Sequence, residues 1–217
     1  MKLPWKQIIS ALRRATGATE VPSVTKIAGD GPDPYRVLIS TIISLRTRDE
    51  VTISASERLF SAADTPSAML RLSSPAVADL IYPAGFYRTK ADTILKISGI
   101  LLEEHDGKVP SRLTDLLTLP GVGRKTANLT LGLAFGIPSI CVDTHVHRIP
   151  NRAGWVSTSN PEQTEDALMQ ILPEEFWIEI NTLLVAFGKD TCTPVSPWCS
   201  RCPISNWCSR IGVSRHR

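Results

Sequence analysis

The segment "LPGVGRKTA" at residues 119–127 combines residue types that can hold a phosphate and attack a carbon atom. Gly121 and Gly123 permit a tight bend with outward-facing backbone N–H groups, and a helix is expected to begin directly after them. Lys125 then lies in the first helical turn, where the helix dipole and any partial burial disfavour its ammonium form. The neutral amine is a nucleophile that can form a Schiff base. The alternative is a plain helix connection with a solvent-exposed lysine.

A carboxylate follows in "VDTHVHR" at residues 142–148. Asp143 could cap the helix that follows it. It could also be the carboxylate partner of Lys125, stabilising positive charge on a sugar or moving a proton. His145 and His147 are two residues apart, so a single helical face would not present both. We therefore do not interpret the histidines as a metal-binding pair.

Four of the five cysteines crowd into a C-x6-C-x2-C-x5-C pattern at Cys192, Cys199, Cys202 and Cys208. Four thiolates at this density suit one tetrahedral or cubane metal site, and in a reducing compartment they argue against a disulfide framework. Zinc modules usually pair two C-x2-C knuckles, whereas only one is present here. The spacing also differs from that of two-cluster ferredoxins.

Composition indicates a soluble globular protein, because 42% of the 217 residues are hydrophobic and 21% are charged. The lack of a targeting or membrane-spanning pattern predicts that the protein is intracellular. The N-terminus has no signal-peptide pattern, and the longest nearly apolar run, "VLISTIISL", is far shorter than the roughly 20 residues of a membrane span. A net charge of +3 is only a weak indication of nucleic-acid binding. Basic pairs near expected turns strengthen it. These pairs are Arg46 and Arg48, Arg88 and Lys90, Arg124 and Lys125, and Arg148 and Arg152.

The elements that must position these residues are helices, because apolar side chains recur at helical spacing along nearly the whole chain and no alternating run predicts a strand. The fold class is therefore all-α. Residues 111–118, 119–123 and 124–136 predict a helix–hairpin–helix, and joints are expected at 28–34 and 135–140. The other predicted helices lie near residues 5–12, 34–45, 48–61, 75–82, 94–102, 160–172 and 174–188.

Together, "LPGVGRKTAN", "VDTHVHR" and the cysteine spacing resemble the endonuclease III family, which are helix–hairpin–helix DNA glycosylases with AP-lyase activity. The likeness runs from about Pro34 to Cys208. It implies two helical lobes with a DNA-binding cleft between them. A six-helix barrel would comprise 27–137, and a second lobe would comprise 1–26 and 138–217, with a [4Fe-4S] cluster on the four cysteines. A monomer is the family expectation.

The resemblance also implies a reaction on double-stranded DNA that carries damaged bases or abasic sites. Lys125 matches the nucleophile that expels an oxidised pyrimidine from a flipped nucleotide, and Asp143 matches the catalytic carboxylate. The resulting Schiff base would permit β-elimination and cut the strand on its 3′ side. The implied DNA contacts are Arg46, Phe86, Leu119, Gly121, Val122, Gly123, Arg124 and His145.

Three positions depart from the family pattern. Arg46 stands where glutamine commonly fills the space left by the flipped base, and Phe86 stands where leucine commonly forms a wedge. Both leave open a mismatch-directed thymine or uracil glycosylase. Pro150 predicts a kink or an early end of the helix after Asp143. The resemblance argues against an adenine glycosylase, because relatives that excise adenine opposite oxidised guanine lack a lysine at the position of Lys125. They also carry a glutamate near the segment "LISTIISLRTRD", which has none before Asp49.

Two other classes of protein remain as alternatives. A non-catalytic DNA-binding module would use the hairpin only to bind DNA. An iron–sulfur electron-transfer protein would not need Asp143. The cluster itself could be a structural staple for a loop whose Arg201 and Arg210 meet phosphate, or it could be redox-active on DNA.

Overall fold

The computed structural model describes residues 3–17, 21–29 and 33–217, and within these ranges it contains helices and no strand. Short 3-10 turns at Glu174–Phe176, Cys199–Arg201 and Ser205–Trp207 complete the regular structure. The α-helices are α1 (Trp5–Thr16), α2 (Ser23–Ala28), α3 (Pro34–Ser44), α4 (Asp49–Ala62), α5 (Pro66–Met69), α6 (Ser74–Ile81), α7 (Tyr87–Glu104), α8 (Leu113–Leu116), α9 (Arg124–Phe135), α10 (Thr144–Ala153), α11 (Pro161–Ile171) and α12 (Trp177–Asp190). The all-α prediction is confirmed.

The chain forms two compact units. The hairpin unit is Ser23–Ile137, and the cysteine unit comprises the described residues up to Pro22 together with Pro138–Arg217. The first boundary falls before residue 23 and not after residue 26 as predicted, because α2 packs against α3, α4 and α9 of the hairpin unit. The expected joint at 28–34 lies partly outside the described residues.

The core of the hairpin unit is built on α3, which packs against α2, α4, α7 and α9. Pro34 and the Asp33 cap start this helix, since the Asp33 carboxylate accepts hydrogen bonds from the amides of Tyr35 and Arg36. Ile39 and Ile43 are fully buried in the core that α7 and α9 share. The packing fixes the end of α3 and the loop after it, where Arg46 lies.

The cysteine unit packs α1, α10 and α12 around a second core. Ile8, Ile9 and Leu12 of α1 are fully buried, as expected for an apolar helical stripe. Trp5 meets Trp155 edge-to-face with ring centroids 5.2 Å apart. The Trp155 indole N–H also donates to the Trp207 carbonyl at 2.8 Å, which ties this core to the segment that carries the last cysteine.

Several predicted helices have different bounds in the structure, and α2 and α5 were not predicted. The first helix of the hairpin motif is only α8, because its end tightens into i→i+3 bonds at Thr118 and Leu119 before Pro120. Pro150 does not end α10 early, since the helix continues to Ala153. The Asn151 amide there donates to the His147 carbonyl at 2.8 Å and supports the turn that contains the proline.

Candidate active site and cysteine cluster

The hairpin turn between α8 and α9 is anchored by its two apolar residues. Leu119 and Val122 are 2% and 6% exposed and belong to the core of the hairpin unit. Their amides donate to carbonyls of Leu116 and Leu119 at 3.2 and 3.1 Å. Both residues were predicted to contact DNA, and that contact stays a prediction, although their side chains and amides are already engaged within the protein.

The glycines of the turn leave backbone donors open. Gly121 has a left-handed φ of 74°, and Gly123 precedes α9 without any side-chain cap on the helix. The amides of Gly121 and Gly123 have no hydrogen-bond partner among the described residues. Open N–H groups at a helix N-terminus carry partial positive charge, so this turn can bind an anion such as a phosphate.

Lys125 follows this turn and is exposed. The partial burial considered from the sequence is therefore not observed. Its side chain lines a pocket of about 500 Å³ within the hairpin unit, and Arg46, Phe86 and Lys90 line the same pocket. An amine in this place is reachable by a nucleotide that enters the pocket.

Arg46 and Phe86 come from two different loops and meet at the pocket. Both side chains are exposed, Phe86 to 64%, and both backbones are left-handed, with φ of 53° and 57°. The Arg46 guanidinium lies 5.6 Å from the centre of the Phe86 ring, which is a cation–π arrangement. The structure thus brings together two predicted DNA-contact residues and the predicted nucleophile, Lys125.

Lys90 was predicted to belong to a phosphate-binding pair with Arg88, and the structure corrects this. Lys90 is 6% exposed, and burial lowers its pKa to about 8. Its ammonium donates to the carbonyls of Ile43 and Leu45 and to the Thr47 hydroxyl. The sequence holds a signal for this burial, because Lys90 precedes Ile94 by one helical turn on the apolar stripe of α7.

Asp143 lies in the cysteine unit, half-buried at the start of α10. Its Oδ1 accepts hydrogen bonds from the amides of His145 and Val146 at 2.8 and 2.9 Å, so it is a helix cap. Its Oδ2 has no hydrogen-bond partner in the part of the chain that the structure describes. His145 is also half-buried, and its Nδ1 lies 3.2 Å from the Arg148 guanidinium.

The four clustered cysteines line a single cavity in the cysteine unit, together with Ile204 and other apolar side chains. Burial, together with the nearby thiols of Cys208, Cys192 and Cys199, raises the pKa of Cys202 to about 11. The four sulfurs are therefore close enough to repel one another as thiolates. Across residues 3–17, 21–29 and 33–217, no group of three His, Cys, Asp or Glu is arranged to bind a metal ion.

Two arginines of α10 donate hydrogen bonds to the loop that begins at Cys192, the first of the four clustered cysteines. Arg148 donates to the Cys192 carbonyl at 2.9 Å. Arg152 donates to the Cys192 sulfur at 3.2 Å and to the Thr193 carbonyl at 2.8 Å. The prediction that this pair belongs to a phosphate-binding face is therefore wrong. Arg201 is similarly engaged, since it stacks on Trp198 and pairs with Asp190.

Comparison with protein families identifies the chain. Residues 39–174 match the HhH-GPD superfamily base excision DNA repair protein family. Endonuclease III of Thermotoga maritima is 52% identical over 170 residues, which cover 78% of this chain and 80% of that protein. The chain belongs to the endonuclease III family of this superfamily. It is therefore a base excision repair enzyme, a DNA glycosylase with AP-lyase activity.

Two further members of the family support this assignment. The chloroplastic endonuclease III homolog 2 of Arabidopsis thaliana is 41% identical over 91% of this chain, which spans 55% of that longer protein. A solved structure of a trapped endonuclease III–DNA covalent intermediate has a TM-score of 0.82 with 31% identity, covering 96% of this chain and 97% of the other. No described helix is long and apolar enough to cross a membrane.

Proposed function

We propose that this endonuclease III family member excises oxidised pyrimidines from double-stranded DNA through a Schiff base on Lys125. The observation that carries the proposal is the position of Lys125, exposed in a pocket beside a helix N-terminus with open amides. A volume of about 500 Å³ lies within the range of small-ligand sites, so the pocket has room for a flipped base.

The chemistry requires one nucleophile and one carboxylate. The Lys125 amine attacks C1′ of the deoxyribose, the glycosidic bond breaks, and the departing base takes the bonding electrons and is protonated. Loss of a proton from nitrogen and opening of the sugar ring give the imine. Removal of a C2′ proton then expels the 3′ phosphate by β-elimination, and water hydrolyses the imine to regenerate the lysine.

Asp143 supplies the negative charge in this proposal. Oxocarbenium-like charge develops on the sugar as the glycosidic bond breaks, and a carboxylate stabilises it. The cap on α10 supports this role, because two amides fix Oδ1 while Oδ2 has no partner among the described residues. The helix cap and the catalytic carboxylate are thus compatible functions of one side chain.

The hairpin turn and the loops that carry Arg46 and Phe86 would contact different parts of the duplex. The amides of Gly121 and Gly123, with the guanidinium of Arg124, would hold phosphate without reading sequence. Arg46 would fill the gap left by the flipped nucleotide, and Phe86 would stack beside it. Their shared position at the pocket mouth supports this division.

The cysteine set fits a [4Fe-4S] cluster, which Cys192, Cys199, Cys202 and Cys208 would hold. All four line one apolar cavity, and a cubane places its thiolate ligands further apart than the ligands of a single ion. Bound there, the cluster would serve as a structural staple that neutralises the mutually repelling thiolates. We expect as-purified protein to carry about four iron and four sulfide per chain. Equimolar zinc without iron would contradict the assignment.

The proposed substrate class is tested by single-turnover excision from duplexes that carry thymine glycol, a T·G mismatch, an abasic site or no lesion. We expect excision of thymine glycol and cleavage at the abasic site, with no reaction on the intact duplex. Cleavage at the abasic site without excision of thymine glycol would contradict the oxidised-pyrimidine assignment. Binding to the duplex without any turnover would indicate a non-catalytic DNA-binding protein.

A second candidate is a mismatch-directed thymine or uracil glycosylase, and the position of Arg46 favours it. Its exposed guanidinium can donate two hydrogen bonds to O6 and N7 of guanine, which would select guanine as the orphaned base. Rapid excision from T·G or U·G together with inert thymine glycol would establish this alternative.

A further inference from the structure

We propose that buried Lys90 and Thr47 form a latch that holds Arg46 and Phe86 in one fixed arrangement, so that both side chains enter the duplex as a unit. The proposal rests on the proposed function, in which Arg46 fills the gap and Phe86 stacks beside it. Lys90 is in this view a positioning residue, because it acts through the two loops and does not touch the reacting atoms.

The first half of the latch joins α7 to the end of α3. Lys90 Nζ donates to the carbonyls of Ile43 and Leu45, at 2.6 Å each. The last carbonyls of a helix have no intrahelical donors and carry partial negative charge, so they bind an ammonium well. The cation thereby fixes the point at which the chain leaves α3 and turns toward Arg46.

The second half of the latch joins the two loops. Thr47 Oγ1 lies 2.9 Å from Lys90 Nζ and accepts the Gly85 amide at 3.1 Å. The backbones also touch, because a Cβ on Gly85 would lie only 2.4 Å from the Arg46 carbonyl oxygen. Only glycine permits this approach, which sets the Phe86 loop directly on the Arg46 loop.

The latch explains why Arg46 and Phe86 keep a backbone conformation that is energetically unfavourable for residues other than glycine. Arg46 and Phe86 have φ of 53° and 57°, which non-glycine residues rarely adopt unless their surroundings enforce it. Arg46 directly precedes Thr47 of the latch, and Phe86 directly follows Gly85, whose amide donates to the Thr47 hydroxyl. The enforced backbone directs both side chains to the same pocket, with the guanidinium 5.6 Å from the ring.

A purely structural lysine and a positioning lysine predict different results. Loss of a structural residue would lower stability and reduce every activity to the same extent. Loss of the latch would impair steps that need the gap to be filled in a duplex. It would spare cleavage of an abasic site in single-stranded DNA, where no partner base has to be held apart.

The test compares four variants with wild type. Lys90→Met removes the donor at similar volume, and Thr47→Val removes the bridging oxygen. Thr47→Ser retains that oxygen and serves as the rescue variant. Lys96→Met is the matched control, since Lys96 is an exposed lysine on the same helix. Thermal unfolding is followed for each, and Thr47→Val carries the test if Lys90→Met does not fold.

Three readouts separate the roles: single-turnover excision of thymine glycol from a duplex, cleavage of a single-stranded abasic oligonucleotide, and fluorescence of 2-aminopurine placed beside a tetrahydrofuran abasic analogue. We expect Lys90→Met and Thr47→Val to slow duplex excision about tenfold, as misplaced positioning groups do, and to reduce the fluorescence rise on binding. Single-stranded cleavage should stay within about twofold, and Thr47→Ser and Lys96→Met should match wild type.

Equal losses in the duplex and single-stranded reactions would overturn the latch, as would unchanged duplex excision in both disruptive variants. A failure of Thr47→Ser to rescue would overturn the role of the hydroxyl bridge. Wild-type protein is measured first, so an absence of wild-type excision and cleavage would instead refute the proposed function on which the latch depends.

Discussion

Two lysines line the same pocket of the hairpin unit, and they differ in almost every other respect. Lys90 is buried, has three hydrogen-bond acceptors and a pKa lowered to about 8. Lys125 is exposed and lies beside the open amides of the hairpin turn. A lowered pKa in a pocket would ordinarily mark the catalytic group, and here it marks a buried lysine whose ammonium already has three acceptors within the protein.

The difference between the two lysines shows that burial can lower the pKa of an amine and at the same time keep the amine from reacting. Burial lowers the pKa of Lys90, and the same burial closes its amine behind the carbonyls of α3. Access and alignment are therefore the better criteria for a nucleophile at this site. On these criteria we propose that Lys125 performs the chemistry and that Lys90 holds the scaffold.

The largest effect that separates the two lysines is expected for Lys125→Ala. Without the amine no Schiff base forms, so we expect single-turnover cleavage of an abasic duplex to fall by about 10³-fold or more. Affinity for a duplex with a tetrahydrofuran site should change by less than about threefold, because the phosphate contacts remain. Cleavage that persists at the wild-type rate would contradict the assignment of Lys125.

A second effect concerns Asp143, the other accessible polar group assigned to the chemistry. Asp143→Asn removes the charge but retains a good helix cap, and we expect excision to slow about 100-fold. Asp143→Ala also removes the cap and should lower the free energy of unfolding by about 1 kcal/mol. Quench-flow excision and thermal unfolding check both results. An unchanged excision rate in Asp143→Asn would exclude the carboxylate role.

A smaller effect is expected at Arg46, which the latch holds in place. Arg46→Gln leaves Lys90 and Thr47 in place and shortens the side chain that meets the orphaned base. We expect the preference for guanine over adenine opposite the lesion to fall about tenfold, since the paired donors to guanine are lost. Excision rates for the two opposite bases measure this directly. A preference that stays unchanged would mean that Arg46 does not contact the orphaned base.

The smallest effect is a pH dependence of stability that the buried lysine produces. With its pKa lowered from 10.5 to about 8, Lys90 loses its proton in the fold while the unfolded chain keeps one. Stability should therefore rise with pH from about 8, by about 1 kcal/mol up to pH 9.5, relative to Lys90→Met. Tyr35 acts in the opposite direction only at higher pH, because burial raises its pKa to about 12. Urea unfolding of both proteins at each pH gives the difference, and a flat difference would mean that Lys90 is not buried in solution.

The sequence predicted what local patterns determine. The all-α class, the glycine turn and the start of α9 at Arg124 follow from residue spacing, and the structure has all three. The burial of Leu119 and Val122 was not predicted, because a turn sequence does not show which side chains the neighbouring helices cover.

The burial of polar side chains was also hard to predict. Lys90 and Arg152 were grouped with surface cations by their charge and their position near expected turns, whereas each is fixed by carbonyls of a segment distant in the chain. Such partners are set by tertiary packing, so charge and spacing cannot identify them. The apolar stripe of α7, which includes Lys90, was the only local signal of this burial.

We propose that the accessible Lys125, and not the buried Lys90, forms the covalent intermediate with DNA. The direct test is borohydride reduction of wild-type protein on an abasic duplex, followed by protease digestion and mass spectrometry of the linked peptide. We predict that the adduct lies on Lys125, that Lys125→Ala gives none, and that Lys90→Met still forms it. An adduct on Lys90 or on any other amine, or an undiminished yield in Lys125→Ala, would contradict the assignment of Lys125 as the nucleophile.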